Sequence, residues 1–376
     1  MIQTVLTYSI LTIAMYLLCK KAEIVDSWRY VIIALGVYSL VFGFRYGVGT
    51  DYFAYVEMYK NVISNYPIRD VEIGYLYLMK ASAFLNLPIE AFMFITSFIP
   101  IYFTFKILKD NLNICKFLVL SFMLTAFWLS YMNGLRQIIA VSLWIYSIKY
   151  IIEKEPIKHY ILIFLAISFH NSAYVLLIFY PLITYKNEWF QRVSIQIGIL
   201  MVSLILMRLS FVQNIISNVE YLLTISGYEW YVDHAHSKLI QDEQLVLGVG
   251  FYINIARIIL LICLSSKVKS WANSDLFIVI YNFFFIGIII KYGLWGSQLI
   301  GRLNWYFFMT ESIVGAYTLA YLFENTKKYY SLILFAFWGM TFVATLYKAI
   351  DNTSYFVYTW QHELYYIKNN LSINPF

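Results

Sequence analysis

Uninterrupted apolar runs, each close to the length that crosses a bilayer, recur from one end of this chain to the other. A helix needs about 20 apolar residues to span the hydrocarbon. Such runs occupy 2–18, 30–44, 90–106, 117–133, 137–152, 193–211, 251–266, 276–290, 304–323 and 330–347. In lipid only helices and closed barrels satisfy every backbone polar group. A barrel would show short segments of alternating polarity, whereas these runs are continuous and rich in Leu, Ile and Phe. Only 13% of the 376 residues are charged, against about 25% in a soluble domain. The expectation is an all-α, polytopic integral membrane bundle with about 10–12 transmembrane helices and helical or irregular outer loops. It forms one membrane domain over 1–376, with no repeat, linker or soluble domain.

Charge then orients the runs. Met1 to Leu18 is apolar with no basic residue ahead of it, and Lys20 and Lys21 follow. A secretory signal has the opposite order, so this is read as a first span with its N-terminus outside. Lys20, Lys21 and Arg29 mark the first cytoplasmic loop. Lys106, Lys109 and Lys116, then Lys154 and Lys158, Lys186 and Arg192, Lys267 and Lys269, and Lys327 and Lys328 mark later ones. All of these fit one orientation if residues 73–87 do not cross and residues 159–184 enter and return at His170. That path also keeps Cys19, Cys115 and Cys263 near the reducing cytoplasmic face. It leaves 45–72 and 212–250 as outer loops. The net charge of +6 follows from cytoplasmic Lys and Arg and asks for no nucleic acid.

Polar residues stand out in such a chain. Phe44-Arg45-Tyr46-Gly47-Val48-Gly49-Thr50-Asp51-Tyr52 closes an apolar run and opens an outer loop. A guanidinium there runs against the orientation rule, and its planar fork suits phosphate oxygens. Gly47 and Gly49 would let backbone approach a ligand. Asp51 would orient Arg45 or meet sugar hydroxyls, and Glu72 closes the same loop. Arg136, in Asn133-Gly134-Leu135-Arg136-Gln137, and Arg302, in Gly301-Arg302-Leu303-Asn304-Trp305-Tyr306, are two more cations at outer helix ends. His170 interrupts an apolar stretch, where polar groups are costly and usually serve a site or pathway; its ordinary pKa suits a general base. Arg208 and Arg257 fall within spans and either serve the site or pair inside the bundle. The outer-loop aromatics, Tyr52 among them, form an interfacial belt or stack on sugars.

Several chemistries have no support. There is no Walker motif, no nucleotide-binding glycine loop and no H-E-x-x-H, and no D-x-D pair in the outer loops. Asp233, His234 and His236 are too few for a metal site. The reading carries no metal and no cofactor, so arginines must neutralise a charged leaving group.

The ordered set Phe44 to Tyr52 with Tyr55 and Tyr59, Glu72-x-Gly74-Tyr75, Leu135-Arg136-Gln137-x-x-Ala140, Phe169-His170-x-Ser172-Ala173, and Gly301-Arg302 with Tyr306 resembles the EpsG-like branch of the Wzy-type polysaccharide polymerases. The resemblance implies a glycosyltransferase of the bacterial cytoplasmic (inner) membrane, with its active site facing the periplasm or cell exterior. Its substrate would be oligosaccharide repeat units on undecaprenyl pyrophosphate, and its product capsule, O-antigen or exopolysaccharide. Membrane lipid and a chain-length regulator are the further partners it suggests. By analogy with metal-independent O-antigen ligases, His170, Arg136 and Arg45 are the expected catalytic residues, with His170 as base. Arg302, Asp51, Gly49, Tyr52, Glu72 and Arg257 are the expected substrate contacts. A ligase, and a transporter or flippase of lipid-linked sugars, are the competing readings.

Overall fold

The computed structural model describes residues 2–49, 51–68, 71–183, 188–209, 248–294, 298–325 and 328–351. The fold is helical, with no strands among the described residues. The first helices are α1 (Ile2–Val25), α2 (Trp28–Gly43), α3 (Tyr52–Ile63), α4 (Ile73–Phe84) and α5 (Ile89–Lys106). There follow α6 (Leu112–Leu124), α7 (Phe127–Asn133), α8 (Leu135–Ile152) and α9 (Pro156–Phe169), then a 3-10 turn over Asn171–Ile178 and α10 (Phe179–Ile183). Beyond these lie α11 (Val193–Leu206), α12 (Val249–Ala272), α13 (Asp275–Gly293), α14 (Gln298–Phe308), α15 (Glu311–Asn325) and α16 (Lys328–Asp351). Turns between helices use residues that tolerate left-handed backbone: Asp26, Asn65, Asn86 and Asn273 have φ of 50°, 56°, 52° and 42°.

The bundle is apolar on parts of its outside as well as in its core. Leu6, Ile10, Ile13 and Leu17 recur at helical spacing along α1 and are 53–62% exposed. On α9, Ile157, Ile161 and Phe164 do the same. An outward stripe of this kind is a liability in water and the normal boundary with lipid tails. The centre is occupied by α8, in which every residue from Gln137 to Ile148 is buried, as expected of a helix that is apolar all round. Helices α5 and α9 both pack against α8, and α6 packs against both α1 and α15. Hydroxyls inside the bundle bond back to their own helix: Ser39 to the Leu35 carbonyl at 2.8 Å and Thr104 to the Pro100 carbonyl at 2.9 Å.

The protein is a multi-pass membrane protein. By length and composition α1, α5, α8, α12 and α13 can each cross a bilayer, and α6–α7 makes a sixth span if that bent pair is one crossing. Other apolar helices, α2, α9 and α11, are shorter, so length alone yields fewer crossings than ten to twelve among the described residues. Two expected spans are corrected. Residues 117–133 are not one straight helix: α6 and α7 meet at 73°, where Ala126 adopts φ 62°. Residues 304–323 are also broken, between Phe308 and Glu311. Neither break carries Gly or Pro. Each is served instead by an indole: Trp128 Nε1 donates to the Met123 carbonyl and Trp144 Nε1 to the Tyr306 carbonyl, both at 3.0 Å. The Tyr306 carbonyl lies in the last turn of α14, where carbonyls lack intrahelical partners, so a buried donor stabilises that stop; the Met123 carbonyl also accepts the Ala126 N–H at 3.2 Å.

The two segments that resist simple crossing are short or reversed. Helix α4 has 12 residues, about 18 Å of rise against about 30 Å of hydrocarbon. The chain reverses at His170. Tyr180 returns to within 5.2 Å of the His159 ring and 5.6 Å of the Tyr160 ring, and the Tyr160 hydroxyl donates to the Leu177 carbonyl at 3.4 Å. The 212–250 loop lies almost wholly outside the described residues.

Candidate functional site

The tip of the α9 hairpin, the start of α8, the exposed turn of α14 and the start of α3 enclose a cavity of about 460 Å³. Four expected site residues line it: Asp51, Arg136, His170 and Arg302. They come from sequence positions more than 250 apart, so their meeting is a result of the fold.

Arg136 enters just after Gly134, where helix α8 begins. A Cβ on Gly134 would lie 2.7 Å from the Trp305 ring, so α8 and α14 approach closely because this residue is glycine. Gln137 Nε2 donates to the Arg302 carbonyl at 2.6 Å, and Trp144 holds the other end of α14 through Tyr306. These two bonds set the face of α14 that carries Arg302 and Trp305 against α8. Arg136 Nη1 meets Glu72 Oε2 at 2.5 Å; Glu72 is the residue preceding α4. Tyr55, one helical turn beyond Asp51 on α3, lines the same cavity as Arg136. Arg136 is thus held by Glu72 at the mouth of the cavity that it lines.

His170 ends α9 in extended conformation, φ −158° and ψ 121°. Its Nδ1 accepts the Ser172 backbone N–H at 3.3 Å and lies 2.6 Å from the Ser172 hydroxyl. That hydroxyl is 2.9 Å from the Tyr306 hydroxyl. The remaining histidine of this hairpin, His159, is a core residue: it is fully buried, with Nδ1 3.3 Å from the Ser147 carbonyl.

Other expected site residues are placed elsewhere. Arg45 does not line the cavity. It is fully buried, its Nη2 donates to the Met132 carbonyl at 2.9 Å, and its guanidinium lies 5.9 Å from the Phe42 and Tyr52 rings. Met132 is in the last turn of α7, where carbonyls lack partners and a cation is favoured. Gly49, with φ +102°, turns the loop onto Asn133: a Cβ would stand 2.5 Å from Asn133 Oδ1. The close approach it permits is therefore to protein. Tyr52 is 2% exposed, packed against Tyr46 and Phe53, and offers no open face to a sugar. Arg257 pairs with Glu311 at 2.7 Å between α12 and α15, the two side chains 3% and 1% exposed. Of its two sequence readings, this is the pair inside the bundle. Arg208 is exposed at the end of α11. Asp233, His234 and His236 lie outside the described residues. No group of three His, Cys, Asp or Glu is placed to hold a metal among the described residues.

Gln137, Asn133 and Trp305 line the cavity without having been singled out as site residues. For Trp305 the signal was present: Arg302, Trp305 and Tyr306 stand three and four residues apart, which is one helical face.

The family model of the EpsG family matches residues 28–360, a span that contains every residue of the cavity. No curated protein and no solved structure matches the chain.

Proposed function

The chain belongs to the EpsG family, and on that premise we propose that it is a membrane glycosyltransferase that polymerises oligosaccharide repeat units into a surface polysaccharide. The substrate in this reading is a repeat unit carried on undecaprenyl pyrophosphate at the outer face of the cytoplasmic membrane. The observation that carries it is the convergence of Arg136 and Arg302, from α8 and α14, on one cavity with His170 and Asp51. Two guanidinium groups from separate helices suit the two phosphates of a pyrophosphate. Fixed donors aimed at charge that develops as the sugar–phosphate bond breaks are usually the largest catalytic contribution. Arg45 supports the site from behind by holding the end of α7. Proton transfer from the acceptor hydroxyl falls to a cavity group; His170 was the sequence expectation, and Asp51 shares the cavity with it. The chemistry needs no metal.

The test is deletion of the gene in its own bacterium. Single repeat units on lipid should accumulate at the outer face, and polymer should disappear. Polymer of normal length would remove the polymerase reading. Units trapped on the inner face would indicate a flippase, and loss of transfer to a second acceptor with polymer intact would indicate a ligase.

A further inference from the structure

The hydrogen bonds around His170 specify where its ring proton sits. A nitrogen that accepts a backbone N–H carries a lone pair, and a neutral imidazole then holds its proton on the other nitrogen. Nδ1 accepts from the Ser172 N–H. One arrangement satisfies the remaining contacts: Tyr306 donates to Ser172 Oγ, Ser172 donates to Nδ1, and Nε2 keeps the proton. Tyr306 is fully buried and Ser172 half-buried, so packing holds the array. With Nδ1 turned to Ser172, the edge left for the cavity is Nε2–H, which can donate a hydrogen bond and cannot accept one.

We infer that Ser172 and Tyr306 are positioning residues that present His170 Nε2–H to the departing pyrophosphate as a donor, and that Asp51 is the base for the acceptor hydroxyl. The inference rests on the polymerase reading. In the transfer, the bond between the anomeric carbon and a pyrophosphate oxygen breaks and its electron pair stays on that oxygen. The acceptor oxygen bonds to the anomeric carbon, and its proton passes to the Asp51 carboxylate. Negative charge growing on the pyrophosphate meets Arg136, Arg302 and Nε2–H. Asp51 is exposed and lines the cavity, whereas the Glu72 carboxylate is engaged by Arg136.

The test uses purified full-length protein and the lipid fraction extracted from a strain deleted for this gene. Wild-type protein should convert that fraction to a ladder; failure to do so sinks the polymerase reading and not this inference alone. Given a ladder, H170Q discriminates, because a glutamine amide can donate from near the Nε2 position and is not a base. H170Q should run within about tenfold of wild type while His170→Ala falls about 100- to 1000-fold, the usual effect of removing a fixed donor. Equal loss in H170Q and His170→Ala, in protein that is monodisperse, would restore the base role to His170. If H170Q does not accumulate, Asp51→Asn decides: a loss in kcat of about 100-fold or more with KM little changed supports the assignment, and wild-type kcat overturns it. Ser172→Ala should lower kcat more than it raises KM; an unchanged kcat removes the positioning role.

Discussion

Glu72 Oε2 lies 2.5 Å from Arg136 Nη1, joining the residue that precedes α4 to the first turn of α8. The pair fixes one edge of the guanidinium, and Arg136 lines the cavity. Arg136→Lys supplies a point charge in place of a planar fork. It should lower the rate of ladder formation about 100-fold, with normal protein levels in the membrane. Wild-type rates in Arg136→Lys would reduce this arginine to an anchoring charge. Glu72→Gln keeps a hydrogen-bond acceptor and should lose less than Glu72→Ala, measured in the same assay.

Arg45 should behave differently from Arg136. Its guanidinium is sealed behind the cavity on the Met132 carbonyl. Arg45→Met would remove a charged hydrogen bond worth about 1.5–3 kcal/mol and uncap α7. The expected outcome is a lower melting temperature in detergent and less protein in membranes, with activity per folded molecule largely kept. A fully stable, inactive Arg45→Met would instead place Arg45 in the chemistry.

These two arginines show what was legible beforehand and what was not. A guanidinium at an outer helix end is conspicuous in an apolar sequence, so Arg45, Arg136 and Arg302 were all visible as polar exceptions. Whether each faces a cavity or another helix end depends on how the 44–51 loop folds over α7, and one-dimensional polarity does not report that. The same holds for Gly49, whose freedom was visible while its neighbour, Asn133, was not. The breaks at Ala126 and after Phe308 left no Gly or Pro mark; the indoles of Trp128, just past the first break, and of Trp144, on α8, bond the carbonyls of Met123 and Tyr306 there. The doubling back at His170 was legible as an expectation, because the basic residues on both sides favour one face of the membrane and a polar residue interrupts the apolar stretch between them.

Gly49→Ala tests the loop directly. The new Cβ meets Asn133 Oδ1 at 2.5 Å in a backbone conformation with φ +102°. Such a substitution destabilises by more than the ~1 kcal/mol of an unstrained Gly-to-Ala change. Pairing it with Asn133→Ala removes the collision and keeps the strained φ, so the melting temperature should recover only in part. Full recovery would mean that φ carries no cost here.

The Arg257–Glu311 pair is predicted to be structural. Both side chains are sequestered between α12 and α15, and removing one partner of a buried pair costs about 3–5 kcal/mol. Glu311→Gln and Arg257→Met should each lower the melting temperature sharply. The double substitution should be more stable than either single one, because neither member of the pair is left as a buried charge without the other. Strictly additive losses in that cycle would show that the two groups do not interact.

The outer-face placement of the cavity can be tested through Ser130, which lines it and is half-buried. Cys19 and Cys115 are buried and Cys263 is exposed, so Cys263→Ser provides a quiet background. In intact spheroplasts a membrane-impermeant maleimide should label Ser130→Cys rapidly. Lys158→Cys, exposed near the opposite end of α9, should label only after the membrane is opened. A helix of 14 residues rises about 21 Å, which carries the chain from the Lys158 side most of the way across about 30 Å of hydrocarbon. His170 can therefore meet an outer cavity without the hairpin crossing. The reverse labelling pattern would put the arginines on the cytoplasmic side, where lipid-linked units are assembled rather than joined, and the polymerase assignment would fail with it.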